Sequence, residues 1–417
     1  MMHSIGIISL GCPRNLVDSE VIISRLKDKG YQIVEPEESE IVIVNTCAFI
    51  REAKEESIDV ILDLIELKRR GKIKKIIVYG CLIQRYKSQI LKYVKEIDAI
   101  VGRLDVNGLE DRTTLLTSNH FAYVKLSEGC GNACSYCAIP FIKGNLTSRK
   151  PEAIICEIQS LEKRKVKEIN LIGQDITLYG KDLFGSPHLT FLIKKILRSC
   201  DIPWIRLLYL HPAHITNDLL ELIAKEKRIC KYLDLPIQHI NNRLLKLMHR
   251  NITEEAIVKL ISKIRKAIKG VFLRTSIIVG FPSETEKEFL QLLNFIKDVK
   301  FERLGAFIYS REENTKAYYL RGQIPHREKQ KRFDEIMLTQ QNVALEVNKK
   351  MLGAQKMVLI DEQDSQQSNL FLGRTEYDAP EVDGLVYLKT QKDVKVGEFY
   401  KVKIIDTLEY DLVGEVI

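Results

Sequence analysis

Short Ile/Val-rich runs, each ending in a polar tip and followed by a helical pattern, recur along this chain and constrain its fold more than any other feature. The first three are SIGIISLGC, EIVIVNTC and KKIIVYGC. Between them lie SEVIISRLKDKG and EAKEESIDVILDLIELKRRG, helical patterns that close on Gly30 and Gly71. Runs this apolar suit parallel strands buried on both faces. Strand–helix–strand crossovers are right-handed, so these strands run parallel, with their carboxyl ends on one edge. Open α/β sheets bind ligands at that edge. Cys12, Cys47 and Cys81 each stand just past one of the three runs, and so converge on one crevice. A lone cysteine is more often a buried core thiol. Three at equivalent strand ends predict a metal site, read here as an iron–sulfur cluster.

From about residue 120 to 310 the strand–helix pattern repeats six times, with strands in FAYVKL, KEINLIG, WIRLLYL, KYLDLPI, VFLRTSIIVG and RLGAFIY. Six units are fewer than the eight of a closed barrel, so an open, partial barrel is expected. Its tips should line a site: Cys130, Cys134 and Cys137, then Gln174, Asp175, His211, Gln238, His239, Glu284 and Ser310. A laterally open barrel suits a macromolecular substrate. Arg274 lies inside an apolar strand, where a buried guanidinium must be paired. Either Asp234 in the preceding strand is its partner, or it meets a carboxylate of cofactor or substrate in the cavity.

The string SEGCGNACSYCAIP spaces Cys130, Cys134 and Cys137 as Cys-x3-Cys-x2-Cys. Zinc sites want four protein ligands. A 4Fe-4S cluster held by three cysteines keeps one iron open to a non-protein ligand. The bland alternatives are buried structural thiols or an incomplete zinc knuckle. Cys156, Cys200 and Cys230 fit neither group and are read as structural, with Cys156 facing the core from an amphipathic helix opened by Pro151.

The chain has 417 residues, 45% of them hydrophobic, and a net charge of +8. That length predicts two to three domains. No apolar stretch approaches a bilayer span. IISLGC mimics a lipoprotein cleavage site, but the preceding MMHS has no basic residue and the apolar run is too short for export. Nine cysteines without a leader point to a reducing compartment, the cytoplasm. Beyond residue 351, short strands with turns at DG and VG read as a small β-barrel. Residues 351–417 hold 7 Lys/Arg against 13 Asp/Glu, a net of −6 that leaves +14 for the remainder. An RNA-binding module should present a basic face. An acidic barrel suits a basic protein partner, which singles out Glu376, Asp378, Glu381 and Asp383 of TEYDAPEVDG as partner-binding candidates.

The strings SLGCPRNLVDSE, VNTCAFIREAKEESIDVIL, YGCLIQRY, SEGCGNACSYCAIP, YLDLPIQH, RTSIIVGFPSETE and FIYSREENT resemble the radical S-adenosylmethionine methylthiotransferase family. GCPRNLVDSE, LPIQH and GRTEYDAPEVDG are similar to its RimO branch, whose members modify the twelfth protein of the small ribosomal subunit. The resemblance implies an N-terminal open parallel α/β domain over 1–115, a partial (βα)6 radical barrel over 116–350 and a C-terminal all-β TRAM barrel over 351–417. It implies two 4Fe-4S clusters, an auxiliary one on Cys12, Cys47 and Cys81 and a radical one on Cys130, Cys134 and Cys137. It implies S-adenosyl-L-methionine as cosubstrate, once to methylate sulfur and once to generate a radical; Tyr136, Gln174, Asp175, Gln238 and Arg274 are the candidates for its site. It assigns no catalytic side chain. The product is a methylthio group on the β-carbon of an aspartate, and an electron donor and a sulfur donor are required partners. A transfer-RNA adenosine methylthiotransferase of the MiaB type is the alternative, which the acidic barrel disfavours. The sequence departs from the family pattern at IKGNLTSR, where Lys143 and Thr147 stand in a usually arginine-rich run, and at Ser283 and Asn314, where glycine is usual. Asparagine tolerates a left-handed turn better than most residues.

Overall fold

The computed structural model describes residues 3–102, 104, 109 and 112–417. Its first sheet contains β1 (Ser4–Ser9), β2 (Gln32–Ile33), β3 (Ile41–Thr46), β4 (Lys75–Gly80) and β5 (Ala99–Val101). The order is β2-β1-β3-β4-β5 and every pairing is parallel. The three Ile/Val-rich runs form its centre. β2 and β5 are edges too short to leave a pattern in the sequence.

The second sheet starts at β6 (Phe121–Lys125). A hairpin of β7 (Ser127–Glu128) and β8 (Thr147–Ser148) follows and closes the base of the cysteine loop. The sheet continues through β9 (Glu168–Ile172), β10 (Trp204–Leu207), β11 (Ile229–Asp234), β12 (Phe272–Val279) and β13 (Arg303–Ile308). All six barrel strands pair in parallel, in the order β6-β9-β10-β11-β12-β13, without closure. Helices pack on the outer face through fully buried Ile154, Leu192, Ile196, Ile223, Ile264 and Leu292. Each such side chain contributes about 1.5–3 kcal/mol on burial. Thr285 and Glu288 form a reciprocal capping box that starts helix Glu286–Val299. Ser283 and Asn314 take φ of 66° and 67°, so both departures from glycine sit in left-handed turns.

The C-terminal segment closes into a barrel of β14 (Gln355–Gln363), β15 (Leu370–Thr375), β16 (Val386–Lys389), β17 (Phe399–Thr407) and β18 (Leu412–Val416). The order is β14-β15-β16-β18-β17, with β16 and β18 the parallel pair. No helix among the described residues is long and apolar enough to cross a membrane.

Buried ion pairs join the three units. Arg112 bridges Glu20 of the first unit to Glu157 of the second at 2.5 and 2.7 Å. Lys125 pairs with Asp18 and Glu128. Arg374 of the small barrel meets Glu168 of β9 at 2.8 Å, and Arg206 pairs with the other oxygen of that carboxylate at 2.8 Å. Such pairs are weak evidence of net stability, but breaking one strands a buried charge.

The acidic stretch of the small barrel is part of this joint, which corrects the assignment of Glu376, Asp378, Glu381 and Asp383 to an external partner. Asp378 is buried against Arg303, and the Asp383 carboxylate lies 3.4 Å from Arg274 Nε and accepts from Tyr232 Oη at 2.6 Å. Glu376 accepts from the Lys231 backbone N–H at 3.1 Å, and Glu381 from Tyr123 Oη at 3.0 Å. Of the four, Glu381 alone is exposed. The reason is charge matching inside the chain, because the barrel strands present Arg274 and Arg303 to this turn. Arg274 is likewise corrected as a cofactor ligand. Its Nη1 lies 3.1 Å from Asp234, so two protein carboxylates neutralise it. Cys156 is exposed rather than turned to the core, and Cys230 lies within β11.

Candidate active site and metal centres

In the first sheet, Ser9, Asn45 and Tyr79 share one row of the register, and Cys12, Cys47 and Cys81 follow that row by three, two and two residues. Cys12 caps helix Pro13–Asp28, and Cys81 opens helix Cys81–Tyr93. Asn15 ties the three ends together. Its amide donates to the carbonyls of Leu10 and Thr46 at 3.0 and 3.1 Å, and its Oδ1 lies 3.7 Å from Cys81 Sγ. Gly11 has a φ of 89°, and a Cβ there would sit 2.9 Å from Cys47 Sγ. Only glycine allows that approach.

The second trio occupies the loop between β7 and β8. Gly129 takes φ 72° where a Cβ would lie 2.1 Å from the Asn145 carbonyl, so the loop turns tightly before Cys130. Ser135 anchors the middle of the loop through Met248 and Leu247 carbonyls at 3.0 and 2.6 Å. Arg250 Nη1 lies 3.7 Å from Cys134 Sγ.

The thiols differ in character. Burial pushes Cys81 and Cys137 up to about 12 and raises Cys47 and Cys130. Burial also opposes ionisation of Cys12, but the Arg14 guanidinium, the Asn15 N–H and Lys143 outweigh it and leave that thiol lowered. Buried thiols of this kind are poor free nucleophiles, and a bound metal deprotonates them. Each trio offers three thiols, where a structural zinc takes four protein ligands, so the donor set fits a cluster that keeps one iron open.

A cavity of about 660 Å³ opens between the two units. Cys130, Cys134 and Cys137 line one wall, and Arg14, Phe49, Ile50 and Glu52 of the N-terminal unit line another. Ile278, Ala306, Phe307 and Ile308 supply an apolar floor. Tyr136, Gln174, Asp175 and Gln238 all reach this cavity, as do His211 and Ser310. Gln238 takes φ 71° and bridges to Ile277. Three buried polar atoms on cavity-lining side chains have no partner: Gln174 Oε1, Arg250 Nε and Tyr309 Oη. A polar cosubstrate such as S-adenosylmethionine would satisfy them, so the donor set fits it.

Two sequence-derived tips do not line the cavity. His239 is fully buried, with Nδ1 accepting from the Asn241 N–H at 3.0 Å. Glu284 is spent on the backbone N–H groups of Gly280 and Phe281. Asp175, His211 and His214 do bring ligand atoms within 4.8 Å, yet they are already partnered. Asp175 accepts from Asn132 at 2.7 Å and from the Thr177 N–H at 2.9 Å. His211 Nδ1 accepts from the Ala213 N–H at 3.2 Å, and burial followed by Arg250 lowers its pKa to about 2. The two imidazoles, both lowered by burial, are a neutral, hydrogen-bonded part of the wall. Arg14, Arg250, Tyr209 and Asn132 escaped the sequence reading. For Arg14 a signal existed, two residues past a cysteine ligand candidate.

Comparison with known proteins follows the same division. The sequence profile described as Uncharacterized protein family UPF0004 matches residues 4–102, the Radical SAM superfamily profile matches 124–296, and the TRAM domain profile matches 352–417. The chain is 44% identical to the ribosomal protein uS12 methylthiotransferase RimO of Clostridioides difficile (strain 630), covering 100% of this chain and 99% of that relative. It is 43% identical to the RimO of Desulforamulus reducens, covering 99% of each. Among solved structures, the radical S-adenosylmethionine methyltransferase TsrM of Kitasatospora setae, with cobalamin and a [4Fe-4S] cluster bound, aligns with a TM-score of 0.55 at 13% identity. That alignment covers 85% of this chain and 76% of TsrM, a likeness of fold.

Proposed function

The chain belongs to the RimO family of radical S-adenosylmethionine methylthiotransferases, and on that premise we propose how its two cysteine trios and the cavity between them modify ribosomal protein uS12. The enzyme is a methylthiotransferase acting on uS12. The target is an aspartate side chain, which exchanges a β-carbon hydrogen for a methylthio group. Cys130, Cys134 and Cys137 would hold the radical 4Fe-4S cluster, and Cys12, Cys47 and Cys81 an auxiliary one. When bound, the radical cluster supplies the electron that cleaves the S-adenosylmethionine sulfonium.

The observation that carries this reading is the common cavity. One wall comes from the radical trio and another from the segments that follow Cys12 and Cys47. A substrate carbon seated there would lie between the site that removes hydrogen and the site that delivers sulfur. Tyr136, Gln174, Asp175 and Gln238 would line the S-adenosylmethionine end, with the unpaired Gln174 Oε1, Arg250 Nε and Tyr309 Oη as its polar contacts. The apolar floor keeps water from the reacting carbon. Phe49 and Phe307, both partly exposed, border the opening through which a loop of uS12 would enter. A reductant and a sulfur source are required partners, and the cytoplasm, where ribosomes assemble, is the proposed compartment.

The names of the relatives do not favour the transfer-RNA alternative. The decisive experiment incubates anaerobically reconstituted enzyme, S-adenosylmethionine, sulfide and reductant with uS12 or with transfer RNA. Mass spectrometry should find a methylthio group on one uS12 aspartate. Modified adenosine with unmodified uS12 would overturn the proposal.

A further inference from the structure

We infer that Arg14 is the residue that grips the carboxylate of the target aspartate and selects it over its amide, an assignment that rests on the reaction proposed above. Arg14 leaves the N-terminal unit, lines the shared cavity, and donates from Nη1 to the Gly173 carbonyl at the end of β9, at 2.7 Å. Its guanidinium lies over the Tyr209 ring, 4.6 Å from the centroid. Tyr209 itself takes φ 63°, a left-handed conformation costly for an aromatic residue. Strain of this kind is kept where the surroundings demand a particular side-chain direction. Here the ring it directs forms the bed of a guanidinium.

Among the described residues, no carboxylate lies within ion-pair distance of Arg14. Glu128, the acid whose field reaches it, is committed to Lys125 at 2.8 Å and Lys143 at 3.2 Å. The arginines of the interdomain joints, Arg112, Arg206, Arg274, Arg303 and Arg374, each have a carboxylate. A half-buried guanidinium that faces a cavity without an acid partner is a ready site for an anion. Its five donors are arranged as a fork suited to a carboxylate, and one is engaged by Gly173.

The position matters as much as the charge. Arg14 stands two residues past Cys12 of one trio and lines the same cavity as Cys130, Cys134 and Cys137 of the other. In aspartate the β-carbon is bonded directly to the carboxylate carbon. Holding that carboxylate on Arg14 therefore holds the β-carbon between the two metal-binding trios. The thiolate of Cys12 is a competing anion for the same guanidinium, so the test must separate a substrate role from support of the auxiliary site.

The experiment compares reconstituted wild type, Arg14→Gln and Arg14→Lys for binding of uS12 and of uS12 with the target aspartate changed to asparagine. Wild type should bind the aspartate form about ten- to a hundredfold more tightly, the range for a charge-assisted hydrogen-bonded pair. Arg14→Gln should bind both forms alike, and Arg14→Lys should keep part of the preference, while iron content stays at the wild-type level in both variants. An Arg14→Gln protein that keeps the wild-type preference would overturn the assignment alone. One that loses half its iron would reassign Arg14 to the auxiliary site. If wild type modifies neither form, the proposed reaction falls and this assignment falls with it.

Discussion

Arg303 places Nη2 at 2.6 Å and Nε at 3.0 Å from Asp378 Oδ1, joining the first residue of β13 to the turn after β15. Both side chains are buried, and Thr375 Oγ1 donates to the other carboxylate oxygen at 2.7 Å. Removing one partner leaves an uncompensated buried charge, at a cost of about 3–5 kcal/mol. Asp378→Asn should therefore lower the thermal midpoint markedly. Replacing both residues with apolar ones of similar volume should restore much of the loss. An unchanged midpoint in the single variant would contradict this account of the joint.

Deleting residues 351–417 follows from the same geometry. It would expose Arg206, Glu168 and Arg303, which are buried against the small barrel. The expected result is poor soluble yield and lost iron. A soluble, iron-replete truncation with only a raised KM for uS12 would return the barrel to the role of a detachable partner-binding module.

Metal content tests the two cysteine sites. Reconstituted protein should hold about eight irons, as two clusters of four. Replacing Cys12, Cys47 and Cys81 with alanine should remove about half. Full iron content in that triple variant would dismiss the auxiliary site.

Chemistry should divide the same way. The Cys12, Cys47 and Cys81 variants should still release 5′-deoxyadenosine from S-adenosylmethionine but transfer no sulfur. Variants of Cys130, Cys134 or Cys137 should release none. The assay is chromatography of the small-molecule products alongside the mass of uS12, and normal methylthiolation by an N-terminal variant would refute the division.

Acid sensitivity has a local source at Glu288. Burial would raise its carboxyl, but Arg243 and the Thr285 cap hold it at about 2, against an ordinary 4.5. A folded pKa below the unfolded one gives stability that is present above about 4.5 and lost as pH falls toward 2. Glu288→Gln should flatten the stability profile of the protein across that window and weaken it near neutrality. A profile of unchanged steepness would exclude Glu288 as a contributor.

What the sequence determined by itself was everything that local pattern and strand polarity control. The Ile/Val runs specified parallel strands, and parallel strands carry Cys12, Cys47 and Cys81 to one edge whatever the details of packing. The count of six units specified an unclosed barrel, and the Cys-x3-Cys-x2-Cys loop specified three thiols at its mouth. Short edges such as β2 and β5 were invisible because two or three residues carry no periodicity. Tertiary structure alone decided where the charges went. Asp378 and Asp383 read in sequence as a face for a basic partner, yet they meet arginines 75 and more than 100 positions away. Arg14 looks unremarkable beside Cys12, yet its guanidinium crosses to Gly173 and Tyr209. Coulomb interactions depend on distance in space and on burial, neither of which is written in the order of residues.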